Sequence, residues 1–148
     1  GEDPLNKPNN LFPYICLVAN GIYEKLNIFG NNWPTHDGTG IRDYIHVMDL
    51  AEAHISSLEF LINKKPQILN LNVGTGIGTS VLELVNTFEK VNKCKIKYSF
   101  CDKRSGDVSV LIADNKKAIS MLNWQPKRNI KQMCIDGWKW SFSNPNGY

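Results

Sequence analysis

The sequence predicts one domain of the α/β class, and two observations support this prediction. Segments with the alternating pattern of short strands are interleaved with segments whose apolar residues recur at helical spacing, as in layered α/β structures. Hydrophobic residues make up 42% of the 148 residues and charged residues 21%, which is ordinary for a globular chain long enough to bury a core. We therefore treat residues 1–148 as a single domain.

The chain opens with a predicted helix and a predicted strand. The pair Asn9-Asn10 can cap a helix that ends near Asn20. Pro13 is tolerated in the first turn of that helix, because early helix amides lack partners there. Residues 26–30 alternate as a short strand does, and the next ten residues are rich in Pro, Gly, Asn and Asp, which indicates a loop.

The centre of the chain predicts a strand, a helix and another strand. Residues 42–47 have a strand pattern, and Asp49 with Glu52 three residues later forms a capping box that opens the helix. Residues 68–73 predict the second strand. One face of the helix is apolar and is expected to be buried; its members are Ala51, Ile55, Leu58 and Ile62.

The last part of the chain predicts three helices and two extended pieces. Ser80 with Glu83 forms a second capping box, and Asn129 caps the final helix. The predicted elements are a helix over 81–91, a strand over 96–100, an extended piece over 108–113 and helices over 116–122 and 130–142.

Composition argues against several classes of function. The net charge is only +3 and the basic residues form no stripe, so nucleic-acid binding is not expected. No apolar run approaches the ~20 residues that a membrane-spanning helix needs. The four cysteines show neither Cys-x-x-Cys nor zinc-ligand spacing, which favours four reduced thiols in a cytoplasmic protein. The three histidines form no metal set.

The glycine-rich run between a predicted strand and a predicted helix resembles a dinucleotide-binding turn only superficially. Its glycines are Gly74, Gly76 and Gly78, whereas the dinucleotide fingerprint is Gly-x-Gly-x-x-Gly followed by an acidic residue about 20 residues later. Lysines occur there instead. We interpret the run as a tight structural turn into a capped helix.

Two arginines are the strongest candidates for binding a ligand. Arg42 follows Gly40, and Arg104 precedes Gly106 and Asp107. A diphosphate favours planar, bidentate and permanently charged donors such as guanidinium groups. The Asp107 carboxylate can accept hydrogen bonds from vicinal ribose hydroxyls. Spacing alone does not separate these residues from ordinary surface charges.

Other conspicuous side chains favour structural roles. His46 alternates with apolar neighbours, so we expect a packed and hydrogen-bonded histidine rather than a catalytic base. The aromatic residues near the end of the chain have helical spacing, which favours core packing; they are Trp124, Trp138, Trp140 and Phe142.

Several segments resemble one enzyme family in both order and spacing. Residues 40–51 resemble the signature near the start of the substrate-binding half of extended short-chain dehydrogenase/reductases. Residues 8–14, 28–30, 104–107 and 144–148 are similar to segments of the C-terminal part of UDP-glucose 4-epimerases. This resemblance covers the whole chain.

The resemblance implies a small mixed α/β substrate-binding domain, the C-terminal part of an extended short-chain dehydrogenase/reductase without its N-terminal Rossmann half. Such epimerases interconvert UDP-glucose and UDP-galactose through a 4-keto sugar, with tightly held NAD and a Tyr-x-x-x-Lys pair. None of the five tyrosines here has a lysine four residues later. NAD is therefore expected to bind the missing half, and no catalytic residue is assigned. The implied partners are a UDP-sugar and, for the parent enzyme, a second copy in a homodimer.

The resemblance assigns five residues to the ribose and the phosphates. Arg42 and Arg104 would clamp the diphosphate, and Asp107 would hold the ribose. Asn10 and Leu11 would line the nucleotide side near the phosphates.

Three further residues are assigned to the two ends of the substrate. Asn27 and Phe29 would flank uracil, largely through backbone groups. Leu111 would lie beside the sugar, where the family often has Tyr or Cys, and this leaves the acceptance of N-acetylated sugars open. The alternatives are a related nucleotide-sugar epimerase or dehydratase, or a stand-alone nucleotide-sugar-binding module. The segment 42–62 is expected to pack against the cofactor half in this superfamily, so the isolated chain would expose its apolar face.

Overall fold

The computed structural model describes residues 8–145 and Gly147, and it confirms the small mixed α/β class. Five helices and five short strands alternate through these described residues. In chain order they are α1 (Leu11–Ala19), β1 (Leu26–Phe29), β2 (Ile41–Arg42), α2 (Val47–Ile62), β3 (Thr79–Ser80), α3 (Val81–Asn92), β4 (Tyr98–Cys101), β5 (Val110–Leu111), α4 (Lys116–Leu122) and α5 (Ile130–Ser143). In this part of the chain, no helix is long and apolar enough to cross a membrane.

The strands form two small sheets. β1 and β4 run parallel, with Leu26 opposite Tyr98 and Phe29 opposite Cys101. In the other sheet, β2 lies between β3 and β5, antiparallel to the former and parallel to the latter. Arg42 therefore lies on the central strand of its sheet.

The larger core lies between α1, α3, α5 and β1. Its centre is Phe88 of α3, which is fully buried and meets the rings of Phe12 and Trp138 edge to face at centroid distances of 5.9 and 5.8 Å. Such ring pairs contribute ~0.5–1.5 kcal/mol each beyond the burial of their area. The predicted box of Ser80 and Glu83 is present at the start of α3, with both reciprocal bonds formed.

The start of α2 differs from the prediction. The predicted strand over 42–47 is paired only at Ile41–Arg42, and the helix begins at Val47 with His46 as its cap. The Nδ1 atom of His46 accepts a hydrogen bond from the Met48 amide at 3.1 Å, and its Nε2 atom lies 3.2 Å from Asp136. The expectation that His46 is a packed, hydrogen-bonded residue is confirmed, since it is buried.

Asp49 is not the helix cap, because its carboxylate is fully buried and bonded elsewhere. It accepts hydrogen bonds from the Lys127 and Arg128 amides at 3.2 and 2.9 Å and pairs with the Arg128 guanidinium. The same guanidinium lies 2.9 Å from Glu52. The indole of Trp124 donates to the Asp49 carbonyl at 3.1 Å. These bonds tie α2 to the segment between α4 and α5.

The apolar face of α2 is exposed. The periodicity alone predicted a buried face, whereas the resemblance implied that this chain by itself would expose it. Ile55, Leu58 and Ile62 are 59%, 60% and 72% exposed. The nearby predicted strand over 68–73 has no ladder partner among the described residues, and Ile68 is 94% exposed. Among the described residues, both surfaces are therefore largely open to solvent.

Some of the predictions for the aromatic residues near the end of the chain are confirmed and others are wrong. Trp138 packs against the larger core, and Trp124 packs in a smaller one with Ala53, Ala118 and Leu122, as predicted. Phe142 at the end of α5 is largely exposed. Asn146 and Tyr148 of the closing motif lie outside the described residues. All four cysteines are free thiols, as predicted.

Candidate functional site

A cleft of about 450 Å³ lies between the start of α1, the strands β1 and β2 and the loop that follows β4. Seven of the eight residues assigned from the sequence line it: Asn10, Leu11, Asn27, Phe29, Arg42, Arg104 and Asp107. Leu111 does not. It pairs in register with Arg42 on the neighbouring strand and is 61% exposed. The fold thus gathers residues that are up to 97 positions apart (10 to 107) on one concave surface.

The open edge of β1 forms one wall of the cleft. Leu26 and Gly30 donate their amides to β4 and its flank at 2.8 Å each. Because alternate residues of a parallel strand point to opposite sides, the backbone groups of Asn27 and Phe29 point away from β4. The Phe29 carbonyl accepts a hydrogen bond from the Trp33 indole at 3.2 Å. The remaining groups along this edge are the Asn27 N–H, the Asn27 carbonyl and the Phe29 N–H.

Arg42 projects from β2 at the floor of the cleft. Its Nη1 donates to the carbonyl of the preceding Ile41 at 2.8 Å. A Cβ atom on Gly40 would lie 3.3 Å from that nitrogen, so a larger residue there would crowd the guanidinium. Tyr44 also lines the cleft, and burial raises the pKa of its phenol to about 12, against the opposing effect of Arg42. The phenol is therefore neutral at physiological pH.

Arg104 and Asp107 lie on the loop after β4, at the mouth of the cleft. Arg104 Nε is 2.9 Å from Asp107 Oδ2, and its guanidinium carbon lies 4.8 Å from the centre of the Phe29 ring. The Arg104 side chain is half exposed, so the ion pair contributes only ~0–1 kcal/mol to stability. The ion pair matters more for the shape of the site, because it fixes the positions of a guanidinium and a carboxylate that line the cleft with the open edge of β1.

The loop before β2 is fixed by Asp37, which sequence reasoning missed. Its carboxylate accepts hydrogen bonds from the Thr39 amide at 2.9 Å, from the Thr39 hydroxyl at 2.8 Å and from the Ser80 hydroxyl. Burial acts to raise the pKa of Asp37, but the bonds from Ser80 and Thr39 outweigh it and hold the pKa below its ordinary value. The loop that leads to Arg42 is thereby tied to the start of α3.

The glycine-rich turn surrounds another carboxylate of the chain, that of Asp43. Asp43 accepts hydrogen bonds from the Thr75 and Gly76 amides at 2.8 Å each and from the Ala113 amide at 3.3 Å. Gly76 has a φ of +73°, a conformation that suits glycine. The prediction of a structural turn is confirmed: its anion-binding amides are directed at the residue next to Arg42.

Sequence reasoning also missed Trp33 and Tyr44 as cleft residues. Trp33 lies in an irregular loop without periodicity, and Tyr44 was treated as part of a predicted strand. No local pattern therefore indicated that either residue lines the cleft. Among the described residues, no group of three or more His, Cys, Asp or Glu side chains could hold a metal ion.

Known proteins define the class to which this fold and cleft belong. A family model described as GDP-mannose 4,6 dehydratase, within the extended short-chain dehydrogenase/reductases, matches residues 5–136, and the chain belongs to that family. Curated relatives of the chain include UDP-glucose 4-epimerases. It is 51% identical to that of Bacillus subtilis (strain 168) and 49% identical to that of Drosophila melanogaster, covering 100% of this chain and 43% of each relative.

Solved structures agree with the sequence relatives. The UDP-glucose 4-epimerase from Bifidobacterium longum in complex with NAD+ and UDP matches with a TM-score of 0.94 and 39% identity, over 100% of this chain and 44% of that one. The enzyme from Stenotrophomonas maltophila, with bound NAD and formylated UDP-arabinopyranose, matches with a TM-score of 0.93 and 43% identity, over 98% and 43%. The resemblance found in the sequence is confirmed. The chain spans less than half the length of these relatives, as expected for a C-terminal part.

Proposed function

We propose that residues 1–148 form the UDP-sugar-binding domain of a UDP-glucose 4-epimerase and that this domain grips the UDP portion of the substrate. One observation carries the proposal. A single cleft joins two guanidinium groups, Arg42 and Arg104, to an open strand edge that presents donor, acceptor and donor in sequence. These are the groups that a pyrimidine nucleoside diphosphate requires.

The strand edge supports uracil as the base. The imide edge of uracil presents acceptor, donor and acceptor, which complements the Asn27 N–H, the Asn27 carbonyl and the Phe29 N–H. Guanine presents two adjacent N–H donors beside its carbonyl, so one donor would face another on this edge. Unpaired buried polar groups reject a mismatched ligand strongly. The edge therefore favours UDP over the GDP substrate suggested by the description of the family model.

The charged residues support a diphosphate linked to ribose. Arg42 and Arg104 supply permanent charge and fork-shaped donors for the phosphates. Asp107 lies 2.9 Å from the Arg104 side chain and can accept hydrogen bonds from ribose hydroxyls. Asn10 and Leu11 at the start of α1 border the same space. Leu111 stays the proposed sugar-side residue, at the register position beside Arg42.

Gripping UDP rather than the sugar suits an epimerase. A 4-keto sugar must present both faces in turn to one hydride carrier, so tight contacts to the hexose would oppose the reaction. Binding energy from the remote nucleotide keeps the intermediate in place while the sugar turns. NAD supplies the hydride chemistry, and we propose that it binds a part of the enzyme that this chain does not include.

The exposed face of α2 supports the existence of such a second part. Ile55, Leu58 and Ile62 form a contiguous apolar strip, and Ile68 is exposed nearby. Patches of this kind mark interaction surfaces. We propose that the cofactor-binding half covers this strip in the whole enzyme. The homodimer stays a prediction of the resemblance, and the cytoplasmic location stays a prediction of the cysteine pattern.

The test is a titration of the ¹⁵N-labelled chain with UDP at low salt, followed by amide chemical shifts. Saturable shifts at Asn27 and Phe29 are expected, and Arg42→Ala and Arg104→Ala should abolish them. Lys95→Ala removes an exposed charge outside the cleft and should change nothing. Wild-type chain that shows no saturable shift at ~10 mM UDP, a concentration above any useful affinity, would refute UDP binding by this domain.

Catalysis is tested separately. The chain incubated with NAD and UDP-galactose is expected to form no UDP-glucose and no NADH. Turnover by the pure chain would overturn the proposal that the reaction needs a second part.

A further inference from the structure

The hydroxyl of Tyr44 has no hydrogen-bond partner in the described part of the chain. Tyr44 lies two residues after Arg42, between β2 and α2, and both residues line the cleft. Every side-chain nitrogen or oxygen that is sealed from solvent among the described residues does have a partner. The Tyr44 oxygen is therefore not sealed from solvent, and the cleft is the open space that this residue borders.

The position of the Tyr44 ring is set by the core. The ring packs against the larger core behind the cleft. Asp43, the residue between Arg42 and Tyr44, does not line the cleft and accepts hydrogen bonds from the amides of the glycine-rich turn. The chain thus directs Arg42 and Tyr44 to the cleft and Asp43 away from it. A ring that packing already holds loses little freedom when its hydroxyl binds a ligand.

The chemistry of this hydroxyl suits an acceptor that it shares with Arg42. Burial raises the pKa of Tyr44 to about 12, and the positive charge of Arg42 opposes that rise only in part, so the phenol keeps its proton at neutral pH. A protonated phenol can donate one hydrogen bond, and a guanidinium has donors alone. Phosphate oxygens carry several lone pairs and can accept from both groups.

We propose that Tyr44 is a further substrate-binding residue, whose hydroxyl donates a hydrogen bond to the diphosphate that Arg42 binds. This inference rests on the proposed function, because it assumes that a nucleoside diphosphate occupies the cleft. In that binding mode the base lies on the edge of β1 and the ribose lies at Asp107. The phosphates are then the part of the ligand that lies beside Arg42 and Tyr44.

The experiment measures the dissociation constant of UDP for wild type and Tyr44→Phe by amide shift titration. The substitution keeps the packed ring and removes the hydroxyl alone. The affinity for UDP should fall about tenfold or more, as expected for a lost hydrogen bond to a charged group. The matched control is Tyr98→Phe, which removes a hydroxyl from a half-exposed ring outside the cleft and should leave the affinity unchanged.

Urea unfolding separates ligand binding from a structural role. Because the Tyr44 hydroxyl bonds none of the described residues, Tyr44→Phe should unfold at the same urea concentration as Tyr98→Phe. A Tyr44→Phe chain that is clearly less stable than this control, or that fails to fold, would make the hydroxyl structural and overturn the inference. An unchanged UDP affinity in Tyr44→Phe overturns it too, while UDP binding stands. Wild type that binds no UDP overturns the proposed function as well.

The signals of the bound ligand show which part of UDP the hydroxyl contacts. At saturation, the phosphorus shifts of UDP bound to Tyr44→Phe should differ from those of UDP bound to wild type. The H5 and H6 proton shifts of the uracil ring should agree between the two complexes. Phosphorus shifts that agree while the uracil protons differ would place the hydroxyl at the base and overturn the assignment to the diphosphate.

Discussion

The cleft and the apolar strip on α2 lie in the same domain, but they differ in whether other residues of the chain contact and stabilise them. The cleft is braced from within: Asp37 fixes the loop before Arg42, and Asp43 gathers three backbone amides directly behind it. The apolar strip on α2, by contrast, is largely exposed in the described chain, with Ile55, Leu58 and Ile62 at 59%, 60% and 72%. The contacts that stabilise the cleft therefore lie within the domain and do not depend on what covers the strip.

The largest test of the comparison removes the internal anchor of α2. Arg128→Ala leaves the fully buried Asp49 carboxylate without its guanidinium partner, and an uncompensated buried charge should give the largest loss of unfolding free energy in this series. Urea unfolding measures it. The matched control is Lys127→Ala, which removes an exposed ammonium 3.2 Å from Glu52 and should cost ~0–1 kcal/mol. A loss from Arg128→Ala no larger than that of the control would show that α2 is held by something else.

The next test weakens the brace behind the cleft. Asp43→Asn turns one acceptor oxygen into an amide donor that faces the Gly76 or Ala113 N–H. Loss of charged hydrogen bonds of this kind costs ~1.5–3 kcal/mol, and the mispositioned Arg42 should weaken UDP binding in parallel. Asp102→Asn in the exposed loop is the control, with an expected change within ~0.5 kcal/mol. Normal stability and normal UDP affinity in Asp43→Asn would mean that the cleft does not depend on this carboxylate.

Acid should weaken the bonds that Asp49 makes at the start of α2, whereas the apolar strip on the same helix contains no titratable group. Burial acts to raise the pKa of Asp49, but hydrogen bonds from the Arg128 and Lys127 amides and from the guanidinium outweigh it and hold the pKa below its ordinary value. A depressed carboxyl pKa stabilises the fold above the unfolded value of ~3.9 and loses that contribution as pH falls through the folded value. The unfolding free energy should therefore fall below about pH 4.

The slope of this acid loss tests the two carboxylates that pair with Arg128, Asp49 and Glu52, because hydrogen bonds from Arg128 and Lys127 also hold the pKa of Glu52 below its ordinary value. Asp37 and Asp136 also have lowered pKa values, so Arg128→Ala should reduce the dependence on pH without abolishing it. Urea unfolding at a series of pH values between neutrality and pH 3 measures the slope. An identical slope in wild type and Arg128→Ala would show that neither Asp49 nor Glu52 contributes to the loss of stability in acid.

The smallest expected effect concerns the strip itself. Ile55→Ala should change the unfolding free energy of the chain by no more than ~0.5 kcal/mol, because the side chain is 59% exposed. Leu84→Ala in the fully buried core should cost ~2–5 kcal/mol. Thermal unfolding and sedimentation compare the two. A large cost for Ile55→Ala would show that the strip is already covered, for example by a second copy.

Local features of the fold were predictable because their partners are close in sequence. The capping box of Ser80 and Glu83 spans three residues, and both of its bonds are present. Asp49 and Glu52 have the same spacing, but the anchor of Asp49 is Arg128, 79 residues later. A window of sequence shows an acidic residue near a helix start and cannot show a distant guanidinium. Likewise, the periodicity of α2 identifies the apolar face and not what covers it.

The cleft shows the same limit. Arg42, Arg104 and Asp107 were selected for their chemistry together with the family resemblance, and they do line one cavity. Trp33 carries no periodic or motif signal, and its position depends on a glycine with positive φ and on Lys103 from a loop about 70 residues away. Only the fold brings those groups together.

The parallel pairing of β1 with β4 has a consequence for protein engineering. Since parallel strands end at the same edge of a sheet, the loop that carries Trp33 and the loop that carries Arg104 leave the domain side by side. Positions in both loops can be exchanged or randomised as long as Asp37 is kept, because Asp37 ties the first loop to Ser80 at the start of α3; Phe88 and the helices packed around it lie elsewhere. The domain therefore offers two adjacent, interchangeable segments from which libraries with altered nucleotide preference can be built on an unaltered scaffold.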